Sequence, residues 1–299
     1  MALAFAGAQP ARAQNLTYRE VEELPHPPAD RRIAYGKDPL QFGELRLPKG
    51  KGPHPVAVII HGGCWLSEYD VRHVGSFAAA LTKAGVATWT VEYRRVGDSG
   101  GGWPGTFADV ARAADYLRVL ARSHHLDLKR VVAVGHSAGG QLALWLAARR
   151  RLPKSSEMYA PAPLRLRGVV SLAGVTDLKA FGPRCNGAVS KLLGGTLEEF
   201  PMRYEQASPA KLLPLRVPQR LIHGAQDGIV PLEQSRAYAD AARKSGDKIE
   251  LTVLDGAGHF DLIAPQSSAW PAIERAVLSL LGKVKEASPS HSSLTAKRR

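Results

Sequence analysis

Gly135-His136-Ser137-Ala138-Gly139-Gly140 is the stretch that decides the fold, because it joins an apolar β-branched run to an Ala/Leu-rich helical pattern. A G-x-S-x-G pattern at a strand–turn–helix junction predicts a sharp turn that exposes the serine hydroxyl above a sheet. Glycines leave room for such a turn, and the helix N-terminus behind the serine favours developing negative charge. Ser137 is therefore the candidate nucleophile, and the alternative is a glycine-rich turn without chemistry.

Outward from this turn, apolar runs typical of buried strands alternate with patterns typical of helices. The predicted strands are 56–60, 87–91, 131–134, 168–172, 220–222 and 249–254. The predicted helices are 71–84, 106–123, 137–151, 233–245 and 268–281. Continuous apolar strands separated by helices predict an α/β fold, with a mostly parallel central sheet and helices on both faces. Ligands of such folds bind beyond the carboxyl ends of the strands.

The remaining segments suggest how the chain is organised. Residues 14–282 are predicted to form one domain, in which 175–215 is a small cap or lid because it is too long for an ordinary loop. Residues 1–13 carry a short apolar stretch and an A-x-A pattern, which predicts a truncated signal peptide or, alternatively, an Ala-rich disordered terminus. Export implies a secreted or periplasmic protein, and otherwise the protein is cytoplasmic. The basic tail 283–299 is predicted to be disordered.

Composition excludes several classes of protein. The 299 residues are 44% hydrophobic and 22% charged, which is typical of a globular protein with a large core. Two cysteines cannot build a disulfide-rich scaffold or a Cys-based zinc site. No apolar run reaches about 18 residues, so no membrane-spanning helix is predicted. The formal charge of +13 is scattered apart from the tail, which favours a solvated basic surface over a nucleic-acid partner.

A second glycine-rich element, His61-Gly62-Gly63-Cys64-Trp65, follows the predicted strand 56–60. Backbone N–H groups in such a loop can stabilise a tetrahedral oxyanion together with a donor from the nucleophile turn. The predicted donors are the N–H groups of Gly63, Cys64 and Ala138. His61 is expected to order the loop through hydrogen bonds. A plain turn at the end of a strand is the alternative.

Serine needs a base and the base needs an orienting acid. His259 follows the last predicted strand, and Asp227 follows the strand before it, which gives the chain order Ser, Asp, His found in folds of this kind. Asp255 is the alternative acid because it lies nearer His259 in sequence. His136 directly precedes the serine, and its side chain is expected to point away from the hydroxyl.

These residues together resemble the α/β-hydrolase superfamily, in particular its esterase/lipase branch, with feruloyl-esterase-like and hormone-sensitive-lipase-like carboxylesterases and kynurenine formamidases. The resemblance covers roughly 56–271, and His61-Gly62-Gly63-x-Trp65 is closest to the oxyanion motif of the formamidase-like members. It implies that Ser137, Asp227 and His259 act as nucleophile, acid and base. Cys64 departs from the pattern, since formamidases often have a larger aromatic residue there.

The resemblance implies a serine hydrolase that cleaves small carboxylic esters through an acyl-enzyme intermediate, without metal or cofactor. An arylformamidase with the same triad is the nearest alternative. A serine exopeptidase is disfavoured because about 55 residues before the first strand leave no room for a large extra domain. A catalytically inactive binding protein on the same scaffold is disfavoured by the retention of all three candidate residues.

Three aromatic residues near the motifs, Trp65, Tyr69 and Trp103, are candidates for lining an acyl or aryl pocket. Packing beneath the cap is the alternative for each of them. Cys64 and Cys185 either form a disulfide between the oxyanion loop and the cap, as an oxidising compartment would allow, or remain two free thiols.

Overall fold

The computed structural model describes residues 15–283 and contains one eight-stranded sheet. The strands are β1 Arg31–Ala34, β2 Phe42–Arg46, β3 His54–Ile60, β4 Ala87–Val91, β5 Leu126–His136, β6 Gly168–Leu172, β7 Gln219–Gly224 and β8 Ile249–Leu254. Their spatial order is β1-β2-β4-β3-β5-β6-β7-β8. The strands from β3 to β8 pair in parallel, whereas β1 and β2 pair antiparallel with their neighbours. The predicted mostly parallel sheet is thus confirmed.

β1 and β2 are not among the strands predicted from the sequence. β1 is short and mostly exposed, and β2 contains Gly43, Glu44 and Arg46, so neither shows an apolar strand pattern. The structure shows why Gly43 is needed: a Cβ on Gly43 would lie 2.4 Å from the ring of Trp89 on β4. Tertiary packing against the indole, rather than local propensity, therefore places β2 in the sheet.

Ten α-helices surround the sheet in the described part of the chain. They are α1 Tyr18–Glu22, α2 Gly75–Lys83, α3 Gly105–Asp115, α4 Leu117–His124, α5 Ala138–Ala148, α6 Leu178–Phe181, α7 Arg184–Leu193, α8 Pro201–Ala207, α9 Leu232–Lys244 and α10 Trp270–Leu280. Short 3-10 segments lie at Val71–Val74, Arg149–Arg151, Pro209–Lys211 and Phe260–Ile263. All five predicted helices are present, although the prediction 106–123 corresponds to two helices that meet at Tyr116. No described helix has the length and apolar character needed to cross a bilayer.

Two apolar clusters, one on each face of the sheet, hold these layers together. Along the fully buried part of β3, Val58 packs into the cluster that contains residues of α3, α4 and α5, whereas Ile59 packs into the cluster with α2 and α10. This alternation is the period of two expected for a strand covered on both sides. Helices therefore cover both faces, as predicted.

The segment predicted as a cap contains α6, α7 and α8, and it lies against the helix that follows Ser137. Gln141 on α5 donates to the Ala207 carbonyl at 2.8 Å, and Trp145 donates to the Gln206 carbonyl at 3.0 Å. A disulfide joins Cys64 to Cys185 at the start of α7, with a Cα–Cα distance of 6.2 Å. Of the two alternatives for the cysteines, the bridge is therefore confirmed. The predicted signal segment and all but the first residue of the predicted tail lie outside the described residues.

Candidate active site

Ser137 occupies a strained turn between β5 and α5. Its backbone has φ 56° and ψ −120°, a conformation that costs about 1–3 kcal/mol for a residue with a side chain. The two flanking glycines make the turn possible, since a Cβ on Gly135 would lie 1.9 Å from the Gly139 carbonyl oxygen and one on Gly139 would lie 2.1 Å from the Ile60 carbonyl oxygen. The predicted strand–turn–helix geometry is present, and the Ser137 hydroxyl makes no hydrogen bond to any described residue.

Asp227 and His259 lie in contact beyond β7 and β8. Asp227 Oδ2 lies 2.6 Å from His259 Nδ1, and Oδ1 accepts hydrogen bonds from the N–H groups of Ile229 and Val230 at 2.8 and 2.9 Å. Burial raises the pKa of the Asp227 carboxyl, but the hydrogen bonds from His223, His259 and Ile229 outweigh it and hold that pKa well below its usual range. An ionised Asp227 is thereby fixed beside the imidazole. The alternative acid, Asp255, is exposed.

His136 links the turn that carries Ser137 to the candidate base. Its Nε2 lies 3.0 Å from the His259 carbonyl oxygen, and the two rings lie 4.4 Å apart. Because burial lowers the pKa of His136 well below its ordinary value, the ring is neutral and donates the Nε2 proton to that carbonyl. The sequence predicts only that His136 points away from the serine, and the support that His136 gives to the His259 backbone is visible only in the folded chain.

The glycine-rich loop after β3 also has an unusual backbone. Gly63, Cys64 and Trp65 all have positive φ, at 103°, 51° and 59°. A Cβ on Gly62 would lie 3.1 Å from the Ser137 Cβ, which places the loop directly beside Ser137. Within residues 15–283, the N–H groups of Gly63, Cys64 and Ala138 donate to no protein acceptor. Three N–H groups without a protein acceptor thus lie in the two segments that meet at Ser137.

A buried carboxylate, Glu92, organises the other side of this loop. It lies 3.0 Å from His61 Nε2 and 3.0 Å from Arg95 Nη1, and it accepts the N–H of Val71. His61 Nδ1 contacts the Gly62 carbonyl at 2.8 Å, and Tyr93 donates to the His61 carbonyl at 2.9 Å. His61 therefore orders the loop as expected. The contribution of Glu92 and Arg95 to the loop was not predicted from the sequence. Charged residues that follow a strand occur in many structural settings and form no motif that would indicate this contact.

The three aromatic candidates have different environments. Trp65 is 1% exposed, donates to Gln141 at 3.0 Å and packs edge-on against Phe181, so it takes the packing alternative. Trp103 lines a cavity of about 370 Å³ with residues of the α8 region, and its indole N–H bonds to Glu157. Tyr69 is half-buried and lies against the glycine-rich loop, where a Cβ on Gly63 would lie 2.3 Å from the Tyr69 Cβ.

Comparison with known proteins finds similar chains among hydrolases. Esterase LipC of Mycobacterium tuberculosis is 27% identical over 78% of this chain and 60% of its own length. Kynurenine formamidase of Drosophila melanogaster is 25% identical over 76% of this chain and 75% of its own length. The chain spans only 60% and 53% of the first two curated relatives.

Solved structures establish the architecture, and a family model establishes the family. A solved structure of esterase B from Lactobacillus rhamnosis superimposes with a TM-score of 0.73 at 19% identity, covering 89% of this chain and 90% of that one. A carbohydrate esterase from gut microbiota gives 0.74 at 20% identity, covering 86% and 99%. The α/β-hydrolase fold predicted from sequence is thereby confirmed. The BD-FAE family model matches residues 44–241, more than half of the chain, and this protein belongs to the BD-FAE family of α/β-hydrolases.

Proposed function

We propose that the protein is a serine carboxylesterase in which Ser137, His259 and Asp227 form the catalytic triad. The observation that carries the proposal is the 2.6 Å contact between Asp227 Oδ2 and His259 Nδ1 in a molecule that also holds Ser137 in a strained turn. The esterases among the relatives and structural neighbours support the same class of reaction.

The reaction has two halves. Ser137 Oγ attacks the ester carbonyl carbon as its proton moves to His259 Nε2, and the bond from that carbon to the alkoxy oxygen then breaks as His259 gives the proton to the leaving alcohol. Water attacks the resulting acyl-enzyme, again transferring a proton to His259, and the carboxylic acid leaves as Ser137 regains its proton. Asp227 holds the imidazole in the required tautomer and stabilises its charged form.

The oxyanion formed in each half is assigned to the N–H groups of Gly63, Cys64 and Ala138. Ala138 is the first residue of α5, so its N–H is one of the helix donors that have no partner within the helix. Losing one donor of this kind costs on the order of 3 kcal/mol in the transition state. The backbone of the loop, which supplies two of the three donors, is therefore a substantial part of this mechanism beside the side chains of the triad.

Active-site labelling tests the triad directly. A fluorophosphonate should label Ser137 in the wild-type protein, and Ser137→Ala should lose both labelling and the hydrolysis of p-nitrophenyl acetate. Ser245→Ala is the matched control, since its hydroxyl lies on the α9 end and bonds only to the Ala241 carbonyl. Ester hydrolysis by Ser137→Ala at the wild-type rate would refute the nucleophile assignment.

An arylformamidase remains the second candidate, and the similarity to kynurenine formamidase over three quarters of that enzyme favours it specifically. The same triad would attack an N-formyl amide. The ratio of kcat/KM for N-formylkynurenine to that for short p-nitrophenyl esters separates the two activities. A strong preference for the amide would replace the carboxylesterase assignment and leave the catalytic residues unchanged.

We infer that the enzyme works outside the reducing cytoplasm. The Cys64–Cys185 disulfide supports a secreted or periplasmic location, because structural disulfides persist in oxidising compartments. Fractionation of cells that express the full chain tests this, with retention in the cytoplasm as the contrary result.

A further inference from the structure

The N-terminal segment 15–22, here called the strap, lies across the loops that carry the acid and the base. Asn15 Nδ2 donates to the side chain of Gln226, next to Asp227, at 2.8 Å. The Asn15 side-chain oxygen also lies so near Gly258 that a Cβ there would be 2.5 Å from it. The strap therefore touches both loops one residue away from the candidate catalytic side chains.

A buried carboxylate fixes the strap to the base loop. Asp261, which is 2% exposed, accepts the Leu16 N–H at 3.1 Å through Oδ1 and the Gly258 N–H at 2.7 Å through Oδ2. Both hydrogen bonds are made to one side chain that is almost completely buried, so water does not compete for them. Val21, 1% exposed, anchors the other end of the strap in the apolar cluster beneath it. The strap is thus held at both ends.

Between these anchors, Tyr18 completes an aromatic bridge made of Tyr69, Tyr18 and Phe260. The Tyr18 ring lies 5.0 Å from that of Tyr69 and 6.0 Å from that of Phe260, both edge-to-face. Tyr69 lies against Gly63, and the Phe260 ring lies 5.1 Å from that of His259. The aromatic bridge therefore runs from the oxyanion loop to the candidate base, along one side of the site.

The bridge ends at Phe260, whose ring lies 5.1 Å from that of His259, so it approaches the site from the side of the candidate base. His259 must give its proton to the leaving alcohol oxygen, so the alcohol part of an ester lies next to the base. Ser137 and His259 are only 4% and 6% exposed, so space beside them is limited. A rigid aromatic wall at this position excludes bulky groups by overlap, whereas a smaller residue would admit them.

Resting on the proposed esterase function, we propose that Tyr18 is a specificity-determining residue that restricts the enzyme to esters of small alcohols. The wall is the ring rather than the hydroxyl, which donates to Glu22 at 3.0 Å within the strap itself. In an ester the acyl chain extends from the carbonyl carbon away from the alkoxy oxygen, so we expect residues other than Tyr18 to limit its length.

Acetate esters of increasing alcohol size, from ethyl to 1-naphthyl, test the proposal. Tyr18→Ala should raise the ratio of kcat/KM for 1-naphthyl acetate to that for ethyl acetate by about tenfold or more, the scale of discrimination that a change in pocket volume gives. Tyr18→Phe should keep the wild-type ratio. The ratios for p-nitrophenyl acetate, butyrate and octanoate should stay within about twofold in both variants, since only the acyl part changes.

Two further variants keep the test decisive. Tyr18→Trp should lower the naphthyl-to-ethyl ratio, which gives a reading of opposite sign if Tyr18→Ala does not fold. Tyr159→Ala, a truncation of a 37% exposed tyrosine outside the strap, is the matched control and should leave the ratio unchanged. Unchanged ratios in both Tyr18→Ala and Tyr18→Trp, or a shift in the acyl series instead, would overturn the role of Tyr18. Ester hydrolysis that persists in Ser137→Ala would instead overturn the proposed function.

Discussion

Removing the Cys64–Cys185 disulfide is expected to lower both the stability and the turnover of the protein. The bridge joins residues 121 positions apart. In the loop-closure description, a loop of this length restricts the unfolded chain by about 16 cal/mol/K, or about 4.9 kcal/mol at 25 °C. Measured effects of removing native bridges are typically about 2–5 kcal/mol, so the loss should fall in the upper part of that range.

The effect on turnover follows from where the bridge is attached. Cys64 supplies one of the proposed oxyanion donors, and its φ of 51° is held between the loop and the start of α7. If that N–H moves away from the oxyanion, kcat should fall by about 100-fold while KM changes little, since the donor acts on the transition state.

The assay compares urea unfolding and ester kinetics of the wild type and of the double variant Cys64→Ser/Cys185→Ser. Dithiothreitol should reproduce the double variant's behaviour in the wild type and have no effect on the double variant itself. A thiol count on denatured, unreduced protein should find none. A stability loss below about 1 kcal/mol together with unchanged kcat would refute the reasoning that the bridge positions the loop.

Three other changes test the site and its surroundings. Asp227→Asn should lower kcat about 10⁴-fold with the fold intact, because the imidazole loses its correct tautomer; a loss below about tenfold would exclude Asp227 as the orienting acid. Gly63→Ala should lower kcat and should destabilise the fold more than the control Gly246→Ala. Both glycines have positive φ, but only Gly63 faces a side chain, that of Tyr69. Equal losses of stability in urea unfolding would contradict this. Burial lowers the pKa of His73 to about 3, so unfolding takes up a proton below pH 6.5 and stability should fall by about 3 kcal/mol between pH 6.5 and 4. His73→Leu should flatten that part of the stability profile, and an unchanged slope would show that other groups cause it.

The parallel core of the fold could be predicted because its local and global signals agree. Strands such as β4 and β6 are continuous apolar runs buried on both faces, and their predicted bounds match the structure. β1 and β2 could not be predicted in this way. Their place in the sheet depends on edge pairing and on the Trp89 ring, which are contacts between residues far apart in sequence.

The residues of the candidate site likewise fall into those that could be predicted from the sequence and those that could not. Ser137 and the glycine-rich loop carry sequence patterns because a sharp turn needs glycines at fixed spacing, and Asp227 and His259 could be placed by chain order after their strands. The supporting residues have no such pattern. His136 supports His259 across 123 positions and Asp261 holds Leu16 across 245, so only the folded chain shows these contacts.

The candidate base His259 lies beyond residue 241, where the family match ends. The base loop begins after β8, which is the edge strand of the sheet within residues 15–283, so the position of the loop depends on contacts from two directions. His136 holds the His259 carbonyl from within the matched region, and the strap holds Gly258 through Asp261 from outside it. Hydrogen bonds that fix a catalytic side chain through its neighbours' backbones lower the reorganisation needed for proton transfer. The N-terminal segment is therefore expected to be part of the working enzyme, even though it lies far from the triad in sequence.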